Sequence, residues 1–307
     1  MSIARYLVLI LISLLAGVAV AQSELPGVFQ AAPRPLPSSI QYQAGISLEL
    51  YFASLTQGGS GLLRLTGGDI QSARYIFRGE EQPFFSLGDG DWHALIAVDM
   101  DAPPRSYELS VLAQRGRATV SFARDLRIES AGYILQEFEL PADRAYLVDG
   151  AVEAAEFATL AALTANVSPA PLWDGAGFEL PLDSPLSSPF GSFRVLNGGR
   201  ETRHTGWDQL APVGTPIRAM AAGRVVFADR LEIRGNYALI DHGLGIYSGY
   251  AHFSDLFVGA GQPVFAGQII GSSGNTGRSS GPHLHWEIVA GGRWVDGLAF
   301  LDLWLPA

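Results

Sequence analysis

The sequence predicts a mostly β protein, with an antiparallel β-sandwich in its first half and, after Phe190, further short strands between glycine-rich turns. Three observations carry this. Turn formers are abundant, with 36 Gly and 18 Pro among 307 residues, as many short strands joined by tight turns require. Apolar and polar residues alternate with period 2 through the first half, the mark of strands with one buried face. Strong helix formers are concentrated in one stretch, from Ala151 to Asn166. With 48% apolar and 16% charged residues, the chain has core-forming material for about two domains.

In chain order, the first residues read as an export signal. Arg5 is a minimal basic start, Tyr6 to Val20 is apolar, and Ala19-Val20-Ala21 supplies the small-x-small pattern of a cleavage site. The apolar run falls short of the ~20 residues a membrane span needs. Cleavage of residues 1–21 predicts a soluble exported chain starting at Gln22, with no membrane association. Residues 22–150 are expected to form the sandwich. Ile46, Leu48, Leu50 and Phe52 alternate with Ser47, Glu49 and Tyr51. Tyr107, Leu109 and Val111 repeat the pattern, as do Val120 with Phe122 and Leu126 with Ile128. The strand spacing suggests an immunoglobulin-like arrangement, and the region holds no cluster of chemistry-bearing residues. Residues 151–185 read as a helix followed by a Pro-rich connector with Pro169, Pro171, Pro181 and Pro185. After Phe190, strands at Arg224 to Ala228, Tyr237 to Ile240, Ile246 to Ala251 and Leu284 to Val289 alternate with glycine-rich turns.

Charge and cysteine content exclude several functions. A net charge of -10 argues against nucleic acid and against docking on anionic lipid. The absence of cysteine removes disulfides, thiolate ligands and a cysteine nucleophile, so any metal site must use histidine and carboxylate.

Five of the six histidines lie in the C-terminal half: His204, His242, His252, His283 and His285. His93 stands alone and reads as structural or surface-exposed. His204 and Asp208, four residues apart, can meet one metal from a tight turn. On a strand His283 and His285 point to the same face while Leu284 faces the core. Together these supply His, Asp and His ligands, with a fourth position left for water as in catalytic zinc sites. The remaining histidines then have roles to fill, because bound water needs a base and the oxyanion a donor.

Ordered motifs carry a resemblance. They are Phe190 to Arg194 (FGSFR), His204 to Asp208 (HTGWD), Gly214 to Pro216, Ala221 to Val225, Ile240 to Gly243 (IDHG), Tyr250 to His252 (YAH), Gly261-Gln262, Gly277 to His285 (GRSSGPHLH) and Val295-Asp296. Residues 186–307 thereby resemble the lysostaphin-type (LytM-type) peptidoglycan zinc metalloendopeptidases. The resemblance implies a small antiparallel β domain with an open groove, and one Zn2+ held by His204, Asp208 and His285. It also implies His252 and His283 as catalytic histidines, with peptidoglycan peptide as substrate. Asn236 and Tyr250 are expected to line the groove, and His242 to be structural. Gly297 after Asp296 departs from the family's usual proline. The alternative is a regulator of this type that binds cell wall or activates another wall hydrolase without catalysis. For the sandwich, spacer or partner docking is preferred over a wall-binding module or a groove-blocking prodomain.

Overall fold

The computed structural model describes residues 34–88 and 90–306. The export signal expected over 1–21 lies outside the described residues. The first strands are β1 (Ser39–Gln43), β2 (Ile46–Leu50), β3 (Leu55–Thr56), β4 (Ser60–Thr66), β5 (Ser72–Phe77), β6 (Glu80–Pro83), β7 (Phe85–Ser86), β8 (Trp92–Ala97), β9 (Ser106–Arg115) and β10 (Ala118–Glu129). They form two five-stranded sheets, ordered β1-β2-β4-β8-β7 and β3-β10-β9-β5-β6. The short β3–β10 contact is parallel; the rest pair antiparallel, as expected. Alternation places the side chains: in β2, Ile46, Leu48 and Leu50 are buried while Ser47 and Glu49 are half-exposed. In β10, Val120, Phe122, Leu126 and Ile128 point inward. The inner faces of both sheets share one apolar core.

Next come β11 (Leu135–Phe138), a 3-10 turn over Ala142–Val148 and helix α1 (Gly150–Thr164). Asp149 caps α1, its carboxylate accepting from the Ala151 N–H. The buried positions of α1 are Glu153, Glu156, Leu160 and Thr164, one stripe at helical spacing. The Pro-rich connector is docked along the C-terminal half by backbone bonds. The N–H groups of Leu172 and Glu179 donate to the carbonyls of His242 and Met220, at 2.7 and 2.9 Å.

The remaining elements are β12 (Leu186–Ser188), β13 (Phe193–Leu196), β14 (Arg200–Arg203), β15 (Trp207–Leu210), β16 (Pro216–Arg218), β17 (Gly223–Leu231), β18 (Gly235–Gly243), β19 (Ile246–Leu256), β20 (Pro263–Val264), β21 (Ile269–Ser273), β22 (His283–Ala290), β23 (Arg293–Val295) and α2 (Gly297–Leu301). Strands β12-β15-β22-β19-β18-β17-β20 run side by side, with β16, β21 and β23 attached. β11 pairs in parallel with β13, so a strand that follows the sandwich belongs to the C-terminal half. Asp296 caps α2, and the adjoining departure from the usual proline has a packing reason. A Cβ on Gly297 would lie 2.3 Å from the Trp286 ring. Among the described residues no helix is long and apolar enough to cross a membrane.

Candidate metal centre

Three paired strands build the site. Asp208 on β15 stands opposite His285 on β22, and His285 stands opposite Ala251 on β19, one residue before His252. Alternation along β22 puts His283 and His285 on one face and sends Leu284 into the core. His204 enters from the turn after β14. That turn depends on Gly206, where a Cβ would fall 2.1 Å from the Trp286 carbonyl oxygen and 2.9 Å from His285 Cε1. Gly206→Ala is therefore expected to push the turn away from β22. The expected loss is about 1–3 kcal/mol of stability, together with weakened metal binding. Thermal denaturation and metal titration of the variant check this.

His204 Nε2, Asp208 Oδ1 and His285 Nδ1 form a triangle with sides of 2.9, 2.9 and 3.0 Å. One ion with bonds of about 2.0–2.1 Å reaches all three atoms. The surroundings of each ring leave a nitrogen free to meet an ion. His204 Nδ1 donates to the Pro189 carbonyl at 2.8 Å, which leaves a lone pair on Nε2. His285 lies between two carboxylates, with Nε2 3.3 Å from Glu287 Oε2 and Nδ1 3.0 Å from Asp208 Oδ1. An ion in the triangle would take the Nδ1 lone pair and leave the proton on Nε2 facing Glu287. Two imidazole lone pairs and a carboxylate oxygen thus converge at buried residues, a donor set suited to a cation. The residues present fit a metal ion.

Burial is the largest single influence on each of the three residues. It holds His204 down to about 3, with the Arg194 guanidinium acting in the same direction, so the ring is neutral at pH 7. Burial alone would raise Asp208, but the Arg194 guanidinium bonded to its Oδ2 holds the carboxyl well below the usual range. Burial alone would lower His285, but the Asp208 and Glu287 carboxylates outweigh it and raise the pKa.

His252 and His283 stand beside the triangle, with ring centres 4.7 Å apart. Each donates from Nδ1 to a carbonyl, of Thr276 at 2.7 Å and of Gly281 at 2.8 Å, and so keeps its lone pair on Nε2. His283 Nε2 lies 3.6 Å from Asp208 Oδ1. Burial, then the neighbouring His283 and His285, holds His252 well below its ordinary pKa. The backbone at His252 is left-handed, with φ of 64°, a strained conformation for a non-glycine residue. The strain accompanies a bulge: Ala238 pairs with Tyr250 while Asn236 pairs with Phe253, so β19 carries one extra residue here.

That bulge corrects one expectation. Tyr250 and His252 are two residues apart, and simple alternation would give them the same face. The extra residue separates them, and Tyr250 is buried in the core with its hydroxyl bonded to Ser248 and the Met220 N–H. Tyr250 does not line the groove. Asn236 donates its amide to the carbonyls of Phe253 and Ser254, at 3.1 and 3.2 Å, bracing β19 beyond His252. His242 is buried, bonded to the Ala222 carbonyl and Ser248, and His93 is buried on β8.

Several residues at the site went unread in the sequence. Arg194 bonds Asp208 Oδ2 at 2.5 Å and lies over the Phe138 ring. Glu287 accepts from His285, Thr205, Tyr237 and Arg234. Its place two residues after His285, on the same strand face, was the available signal. A cleft of about 240 Å³ opens beside Asp208 and His283. Gln136 and Phe138 of β11 form one wall and the Ser279–Pro282 loop another.

A buried His-Asp-His donor set flanked by two anchored imidazoles on an antiparallel sheet defines a metallopeptidase-type centre. Residues 202–297 match the family model of peptidase family M23, and this part of the chain is an M23 domain of the LytM type. The chain is 43% identical over 99 residues to the peptidoglycan DD-endopeptidase ShyA of Vibrio cholerae, covering 32% of this chain and 23% of that protein. It is 43% identical over 113 residues to the DD-carboxypeptidase/endopeptidase Mpg of Neisseria meningitidis, covering 36% and 26%. The chain thus spans about a quarter of the length of these curated relatives. A crystal structure assigned to peptidase M23 from Pseudomonas aeruginosa aligns with a TM-score of 0.59 at 25% identity, covering 80% of this chain and 94% of that one. That coverage extends the likeness into the N-terminal sheets.

Proposed function

We propose that this chain is an exported zinc-dependent endopeptidase that hydrolyses peptide bonds in peptidoglycan cross-bridges or stem peptides, in cell wall remodelling or lysis. The observation that carries the reading is the convergence of the His204, Asp208 and His285 donors beside two further imidazoles. Three protein donors without a thiolate suit a catalytic zinc site better than a closed structural one. When bound, the ion supplies Lewis-acid polarisation of a carbonyl and a lowered pKa for its water. The chain's own groups do the rest. His252 and His283, held by their Nδ1 bonds, present Nε2 atoms that take a proton from the attacking water and return it to the leaving amine. Arg194 and the two ring anchors keep Asp208, His204 and His285 in place. The names of the relatives, a peptidoglycan DD-endopeptidase and a DD-carboxypeptidase/endopeptidase, support a bond between D-amino acids, and a peptidoglycan substrate is in keeping with work in the cell envelope. Retention of all five residues supports catalysis over a binding-only role.

The test is to incubate the protein with intact peptidoglycan and identify the released fragments by mass spectrometry. Peptide-bond products that vanish with chelator and return with zinc are expected. Cleavage of glycan bonds, or no release from zinc-loaded protein, would overturn the reading.

A further inference from the structure

We propose that helix α1, which precedes the region matched to the M23 family, positions this site through two buried carboxylates, Glu153 and Glu156. The inference rests on the reading of the site as a metal-dependent peptidase.

Glu156 is buried, and its carboxylate is spent on one turn of chain. Oε2 accepts from the Ile233 N–H at 2.6 Å, and Oε1 from the Arg234 N–H at 3.2 Å and Arg234 Nη1 at 2.9 Å. Arg234 then reaches the site by two routes. Its side chain grips both oxygens of Glu287 at 2.7 and 2.8 Å, and Glu287 receives the Nε2 proton of His285. Its carbonyl accepts from the His252 N–H at 2.8 Å, at the residue held in the left-handed backbone. One carboxylate on α1 therefore bears on a metal donor and on a flanking histidine.

Glu153, one turn earlier on the same stripe, holds the other two approaches. It accepts from Arg200 and Thr202 on β14, just before His204, at 2.7 and 2.5 Å. It also accepts from Arg278 at 2.7 Å, in the loop that leads to His283.

A helix that served only to cover the sheet would bury apolar side chains on this stripe, as Leu160 does. Two buried glutamates are a costly choice for packing alone. Each is directed instead at segments that carry the histidines. Glu153 and Glu156 are positioning residues: they touch neither metal nor substrate and act through Arg278, Arg234 and Glu287.

The test uses the full chain with Glu156→Gln, which keeps size and one carbonyl acceptor but removes the charge. Leu160→Ala serves as a control that loosens α1 through its apolar packing while removing no hydrogen bond of the network. Zinc affinity is measured by competition with a chromogenic chelator, and kcat and KM on a cross-linked muropeptide at saturating zinc. Glu156→Gln is expected to weaken zinc binding about tenfold and to lower kcat at nearly constant KM. Leu160→Ala should lower Tm and leave both readouts near wild type. Should Glu156→Gln not fold, Glu153→Gln carries the same expectation through Arg278 and β14. Folded glutamine variants with wild-type zinc affinity and kcat would overturn the inference, as would equal losses in Leu160→Ala. A wild-type chain that binds no zinc and releases no peptide would overturn the proposed function, and the inference with it.

Discussion

His285→Ala is expected to abolish peptide release and to lose zinc at stoichiometric concentration while the protein stays folded. His285 contributes one of three donors, and its removal leaves a pair too weak to hold the ion. The fold should survive because of what remains around Glu287. That buried carboxylate keeps Arg234, Tyr237 and Thr205 as partners after the imidazole is gone. Asp208 keeps both His204 and Arg194. No charge is left buried without a counterpart, so the cost is that of the cavity, about 2–4 kcal/mol by analogy with large-to-small core changes. Elemental analysis of the purified variant and a thermal melt read the two effects separately. Zinc retained at one per chain would show that His285 is not a ligand.

How far the sequence foretold this arrangement differs by element. The sandwich strands were legible because β2 and β10 alternate cleanly and each buries one face. The meeting of His204, Asp208 and His285 was legible because His283-Leu284-His285 on a strand presents two imidazoles together, and because His204 and Asp208 are close in sequence. Helix α1 was visible as a helix, but its buried face was hidden. Two of its four buried positions are glutamates, which no apolar periodicity reveals. The parallel pairing of β11 with β13 joins segments about 58 residues apart, and strand propensity does not encode such partners. Arg194 and Arg234 are recruited across the fold, so their neighbours in sequence say nothing of their targets. Tyr250, expected at the groove, lies in the core, because the bulge in β19 puts His252 and not Tyr250 on the side of the site.

His283→Ala is expected to leave zinc bound and to lower kcat by a factor of about 10²–10⁴, the usual range for losing a positioned acid or base. The variant separates chemistry from ligation because of where the ring sits. His283 is half-buried at the cleft, its Nδ1 proton is given to Gly281, and its Nε2 is 3.6 Å from Asp208 rather than within the donor triangle. Truncation leaves the triangle with its Pro189, Arg194 and Glu287 supports intact. The Gly281 carbonyl keeps the Ser279 hydroxyl as a donor at 2.7 Å and lies at the cleft, where water can replace the lost one. His252 offers no such clean separation: alanine there would inherit the left-handed backbone and leave a hole in a buried position. Rates from His283→Ala and metal content from the same preparation therefore decide the role. A rate loss with full zinc places His283 in proton transfer or oxyanion support. A loss of zinc in step with activity would make it a fourth ligand and the centre a closed one, which the proposed hydrolysis does not survive.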